Sequence, residues 1–337
     1  MGYKRFILKF CVFLTPFFFI IFIYIVKDPF KTIYSYPSYY KNNSIQGVIL
    51  NRDYVSFETY KSTRLKYNFD SFIFGNSRSI FYKKDIWQKY LSPNSEIFHF
   101  DASGESLFGV ESKIGYLDNE GIAIKNALLV IDESVLSNTD DSKGFLLMKH
   151  YSLSGKNRLS FELEFFKAFL NFKFICSYLY FQITGKIEPF MKNLSILDDR
   201  PMNYDLKGNE ISFNEIDSLI KNSPDKFYTK EKVNVFYNRD SKPRYGNVTL
   251  NSRSIKMLDN ISKIFKKHNT KFRIIISPLY DQVKINPKDL SVLNKIFDNE
   301  NVFDFSGKNQ FTNDFHNFYE TSHYRPIVAE KILSNIY

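Results

Sequence analysis

Apolar residues gather in five short runs along this chain: SFIF at 71–74, IFHF at 97–100, ALLVID at 127–132, FRIIIS at 272–277 and VFDF at 302–305. Each run is bounded by turn-forming or polar residues, as buried strands are. The stretches between them follow a helical period. YKKDIWQKYL comes after the first run and ESLFGVESKIGYLDN after the second. SRSIKMLDNISKIFKKH precedes the fourth, with Ile255, Leu258, Ile261 and Ile264 spaced along one helical face. PKDLSVLNKIF precedes the fifth, and RPIVAEKILSNIY closes the chain. Strands alternating with helices predict an α/β fold whose parallel sheet is covered on both faces. Sites in such sheets collect at the carboxyl ends of strands, near a switch in strand order.

The alternation breaks between about 137 and 250, where FELEFFKAFLNFKFICSYLYFQI forms an aromatic-rich helical candidate. Its uninterrupted apolar stretch is too short to span a bilayer. The whole segment reads as a mostly helical insertion or cap over the sheet. Internal repeats are not evident.

At the other end, no charge interrupts the chain from Phe10 to Val26, and Lys4, Arg5 and Lys9 precede that run. The length suits a membrane helix, with Lys9 able to snorkel to the interface. IYIVKDPF lacks the small residues of a signal cleavage site, so an uncleaved signal anchor over 1–27 is expected. The basic N-terminus favours the cytoplasmic side, with the main domain outside. Lys27 and Lys31 blunt that asymmetry. Residues 28–65 are polar and aromatic with weak periodicity and read as a stalk leading into a domain over 66–337.

Lys and Arg exceed Asp and Glu by ten, 46 against 36. That excess suits anionic surfaces such as phospholipid head groups and acidic glycans. No recognised nucleic-acid motif accompanies it, so nucleic acid is not an expected partner. Aromatics reach 18%, which fits either an AT-rich genome or a role in binding. Cys11 and Cys176 are the only cysteines, and Cys11 lies in the apolar N-terminal run. Neither a structural disulfide nor a cysteine metal site is expected. No cofactor is implied.

Ser77, in FGNSRS, follows the first strand and precedes a helix, a turn that exposes a side chain at the sheet rim. A serine hydroxyl needs a base to take its proton. Among the histidines, His99 alternates within a strand, His268 ends a basic helix and His150 lies in the insertion. His316 and His323 share one segment, with Asp314 nearby, but at no recognised metal-ligand spacing. His323 is the best base. It precedes a helix with Pro326 in its first turn, and Glu320 stands three residues earlier, where a carboxylate can orient the ring. Arg78 and Arg325 flank the pair, either as structural ion-pair partners or as ligands for an anionic substrate. Pro278, Tyr280 and Asp281 end the fourth strand at the same rim and are candidate pocket contacts.

FGNSRS after the first strand, ASGES after the second and FYETSHYRP before the last helix together resemble the SGNH/GDSL hydrolase superfamily. The resemblance covers roughly 70–135 and 250–337. Within it, the closer resemblance is to membrane-anchored SGNH-like proteins of bacterial envelopes, a group similar to those of alginate O-acetylation and teichoic-acid D-alanylation. It implies a flavodoxin-like three-layer sandwich, with Ser77 as nucleophile and backbone N–H groups of Ser77 and Gly104 as the oxyanion hole. Glu320-x-x-His323 stands for the last block's Asp-x-x-His, and Asn76 for the aspartate before the serine. The third-block asparagine has no match, since LLVIDESVL places Asp132 there, and an ionised aspartate cannot donate.

What the resemblance implies is a serine esterase or O-acyltransferase acting on an acyl-bearing envelope polysaccharide, without cofactor or metal. The enzyme would be held in the bacterial inner membrane by a single pass and could be partnered by a multi-spanning membrane acyltransferase. The alternative is a non-catalytic binding or assembly protein that keeps the sheet. Asn76, Arg78 and Arg325 would be its substrate contacts in either case.

Overall fold

The computed structural model describes residues 2–42, 44–192 and 196–337. Its central sheet has five strands: β1 (Ser71–Gly75), β2 (Ile97–Asp101), β3 (Asn126–Ile131), β4 (Lys271–Ile276) and β5 (Val302–Asp304). All pair in parallel, in the order β2-β1-β3-β4-β5. Each apolar run of the sequence is one of these strands. The chain passes from β1 outward to β2 and then returns to β1's other side as β3, so the order switches between β1 and β3. That gap is where doubly wound sheets place their sites.

Six longer helices frame the sheet or precede it: α1 (Gly2–Lys27), α2 (Arg52–Tyr67), α3 (Leu107–Asn119), α4 (Ser252–Lys267), α5 (Pro287–Phe297) and α6 (Pro326–Ile336). Strand side chains alternate between two faces. Phe72 and Phe74 of β1 join Tyr60, Val110, Ile261 and Leu293, from α2 to α5, on one face. Ile73, Leu128, Val130 and Ile275 join Trp87, Tyr324 and Ile332 on the other. Each fully buried Phe or Ile contributes about 1.5–3 kcal/mol relative to exposure. Pro287 and Pro326 open α5 and α6, where a missing N–H costs nothing.

Three expectations are corrected. Residues 28–65 are not a stalk. Phe30, Tyr39 and Tyr40 are buried, Ser44–Val48 pairs antiparallel with Leu197–Asp205, and α2 covers the sheet. The buried side of α2 mixes Val55, Phe57 and Tyr60 with Asp53, Ser56, Thr59 and Thr63, which weakens its apolar period. The aromatic candidate in the insertion is two helices, Arg158–Phe169 and Phe172–Thr184. The Asn171 side chain accepts from the Phe174 N–H (3.2 Å) and so starts the second helix afresh.

The two helices of the insertion do not lie over the sheet. They pack on the N-terminal segment, where Tyr54 of α2 stacks on Phe161 and Phe30 on Phe174. A buried quartet of charges fixes the junction. Lys113 Nζ lies 2.6 Å from Asp53 and also bonds Glu105, while Lys149 Nζ lies 2.8 Å from Glu105. All four side chains are essentially excluded from solvent, so each charge depends on its partners. Further along the insertion, the 205–210 turn covers the free edge of β2: the His99 N–H donates to the Gly208 carbonyl (3.0 Å), and Asn209 donates to the His99 carbonyl (2.8 Å).

Within α1, Arg5–Lys27 is long and apolar enough to cross a membrane.

Candidate active site

Gly75 ends β1 between its two neighbours, in register with Asp101 of β2 and Val130 of β3. A Cβ there would come within 2.5 Å of the Val130 carbonyl oxygen and 2.9 Å of the Ser79 side chain. Only glycine lets the chain turn this tightly against β3. Asn76–Arg78 form that turn, which runs into a single 3₁₀ turn at Ser79–Phe81. The Ser79 hydroxyl donates to the Asn76 carbonyl (2.8 Å), and so must accept from His99 Nε2 (2.7 Å). That bond fixes the proton of His99 on Nε2. Burial, with the cations of Lys83, Arg52 and Lys113, holds the His99 imidazole well below its usual pKa. His99 is therefore a neutral prop beneath the turn.

Ser77 is left half-exposed at the rim, and its Oγ lies 2.7 Å from His323 Nε2. The histidine comes from a tight hairpin in which Phe318–Glu320 pairs antiparallel with His323–Tyr324, and Glu320 stands directly opposite His323. A two-residue turn thus turns the Glu-x-x-His spacing into a face-to-face pair. Glu320 Oε1 hydrogen-bonds His323 Nδ1, and Oε2 accepts the Ser322 N–H (2.8 Å). An ionised carboxylate only accepts, so Nδ1 carries the ring proton and Nε2 is free to accept from Ser77. Burial alone would raise the Glu320 carboxyl, but the bonds from His323 and Ser322 outweigh it and hold its pKa below the ordinary value. Phe81 packs edge-on to the His323 ring at 6.0 Å, and the buried Tyr324 anchors the hairpin behind it.

No family model matches this chain, and no curated protein matches it.

The remaining candidate residues divide by what they touch. Arg78 donates through Nε to the Ser322 carbonyl (2.9 Å) and through Nη1 to Asp132 (2.6 Å), tying the serine turn to both the hairpin and the end of β3. Asn76 is buried and committed. Its Oδ1 accepts the Arg78 N–H (3.0 Å), and its amide donates to Asp132 (2.6 Å). Arg325 donates to the His316 carbonyl (3.1 Å) and so braces the hairpin instead of joining Ser77. Gly104 stands in the left-handed region (φ +56°) in the turn past β2, at the same edge of the sheet as Ser77. Tyr280 is core, not pocket: it is buried, its hydroxyl donates to the Tyr237 carbonyl (3.0 Å), and Arg239 covers its ring. His316 and His323 do not share a site, since His316 Nδ1 faces Asp314 (2.8 Å).

The sequence reading missed what Asp132 does. Beyond Arg78 and Asn76, it accepts the N–H groups of Ser134 (2.9 Å) and Val135 (3.2 Å), capping the short helix Glu133–Ser137. The one signal for it was an acidic residue ending a strand next to the strand that leads to an arginine. Two insertion residues also reach the site's border. The Tyr319 hydroxyl bonds Asp217, and Arg200 lies within electrostatic reach of Glu320.

Proposed function

We propose that the chain is an SGNH-like serine esterase or O-acyltransferase that handles acyl esters on a bacterial cell-envelope polysaccharide. The single observation that carries this reading is the bonded series Ser77–His323–Glu320 at the switch point of the sheet. Ser77 Oγ attacks the acyl carbonyl while His323 Nε2 takes its proton, and Glu320 steadies the imidazolium that forms. Backbone N–H groups of Ser77 and Gly104 face the oxyanion. His323 then returns the proton to the departing sugar oxygen, leaving the acyl group on Ser77. Water or a second sugar hydroxyl, deprotonated by His323, attacks the acyl-serine and releases the enzyme. Water makes the chain an esterase, and a sugar makes it a transferase.

The basic N-terminus and the apolar α1 support a single-pass protein of the inner membrane with this domain outside, where a multi-spanning acyltransferase could supply acyl groups. Ser77→Ala and His323→Ala should each abolish turnover of a chromogenic acetyl ester while the melting temperature stays near that of the parent. A fluorophosphonate probe should label the parent chain and not Ser77→Ala. Undiminished turnover in either variant removes the mechanism.

A second reading, a glycan-binding or assembly protein with the same sheet, is favoured by one observation. Asp132 stands where an amide donor would be needed and is saturated by Arg78 and Asn76. Loss of one oxyanion donor costs about 10²–10³ in rate in enzymes that rely on it. Tight binding of an acidic glycan with no labelling of Ser77 would establish this second role.

A further inference from the structure

The foot of α1 is not free of the domain. The Tyr24 ring lies 5.1 Å from Phe166 and 5.1 Å from Phe169, and Ile20 and Ile23 pack on the same cluster. Ile20 is seven residues before Lys27, about 10 Å along the helix axis. A bilayer's hydrocarbon core is about 30 Å thick and needs about 20 helical residues. Without residues 20–27, the apolar stretch from Phe6 to Phe19 would cover only about 21 Å. The contacts at Ile20, Ile23 and Tyr24 therefore fall at or inside the membrane boundary, and the helices that make them must be there too.

Those helices are built for it. Phe161, Phe165 and Phe169 fill the core side of Arg158–Phe169. The outer side of an ordinary surface helix would be polar. Here Leu159 is 68% exposed and Leu163 is also exposed; on the next helix Phe172 is 76% and Ile183 84% exposed. Exposed apolar side chains on adjoining helices, continuous with a membrane span, fit acyl chains better than water.

We infer that Arg158–Phe169 and Phe172–Thr184 lie in the bilayer interface, giving the protein a second membrane contact beside α1. The occupant of their outer face is lipid. The same packing sets the orientation of the domain. α2 begins at the carboxyl edge of the sheet, where Arg52 pairs with Asp101, and the insertion packs against that end of α2 through Asp53 and Tyr54. The edge that carries Ser77 is accordingly the edge nearer the anchor.

The test uses the full chain, one copy per phosphatidylcholine nanodisc, with and without bromine on the acyl chains. Trp87 is the sole tryptophan, fully buried with its N–H on the Tyr337 hydroxyl (2.9 Å), and supplies an unquenched background. Emission added by Phe172→Trp or Ile183→Trp should fall about twofold or more in brominated discs, as for an interfacial side chain. Leu65→Trp, at the opposite end of α2, should not be quenched. Phe13→Trp reports on the span itself. Quenching there, with none from Phe172→Trp and Ile183→Trp, overturns the proposal and leaves the face open to a second copy or another protein. If Phe13→Trp is also unquenched, the span fails and the proposal falls with it.

Discussion

Arg78 and Asp132 pair across the switch point of the sheet, with Nη1 2.6 Å from Oδ2. The carboxylate is almost wholly buried, and the arginine also holds the Ser322 carbonyl. One guanidinium thus joins the serine turn, the end of β3 and the histidine hairpin, which are far apart in sequence. Removing one partner of a buried pair leaves the other charge stranded, at a cost of about 3–5 kcal/mol. Asp132→Ala should lose stability on that scale in denaturant unfolding in detergent. Asp132→Asn, which keeps an acceptor for the Ser134 N–H, should lose less. Equal losses would assign the effect to the ion pair, and an Asp132→Asn variant as stable as the parent would assign it to the helix cap.

Glu320 meets two donors, the His323 Nδ1–H and the Ser322 N–H. A glutamine of the same shape offers one acceptor, and its amide NH₂ must confront one of these donors. Where the orienting carboxylate of a serine triad becomes an amide, the rate falls by up to about 10⁴ through the wrong tautomer. Glu320→Gln should therefore lower kcat for an acetyl ester by about 10²–10⁴ while KM changes little. An unchanged kcat would show that Glu320 only shapes the hairpin.

Gly75 tests how tightly the turn depends on its strand. Gly75→Ala puts a methyl 2.5 Å from the Val130 carbonyl, which is backbone and cannot swing aside. Overpacking of this kind costs about 1–3 kcal/mol. The strain should part β1 from β3 at the site end, moving Ser77 from His323. Fluorophosphonate labelling should drop more steeply than stability, and labelling at the parent rate would refute the coupling.

The sheet was legible because its strands are buried on both faces and read as unbroken apolar runs. Ser77, His323 and Glu320 were legible because each sits beside a strand or helix boundary that the pattern marks. Asp132 was not, since an acceptor's partners, here Arg78 and Asn76, come from another strand. α2 escaped because its buried face carries Asp53, Ser56 and Thr59, whose satisfaction by distant groups no local period reveals. The break at Leu170–Asn171 was hidden by aromatics on both sides, and only the capping role of Asn171 exposes it. The seat of the insertion on α1 depends on contacts more than a hundred residues apart.

Glu58 makes the junction of α2 with the insertion sensitive to acid. Its side chain is mostly buried, His150 Nε2 lies 3.0 Å away, and Lys61 bonds it at 2.7 Å. Burial opposes ionisation, but His150 and Lys61 prevail and bring the carboxyl down to about 2 from 4.5. A depressed carboxyl stabilises the fold fully above its unfolded pKa and loses that contribution as pH falls toward the folded value. The contribution is about 2–3 kcal/mol at pH 7, discounted for solvent at the exposed Lys61 side. Unfolding free energies of the parent chain and Glu58→Gln, measured in detergent, should differ by that amount at pH 7. More than half of the gap should be gone by about pH 3. A gap that stays constant from pH 7 to pH 3 would mean that the glutamate acts by shape and not by charge.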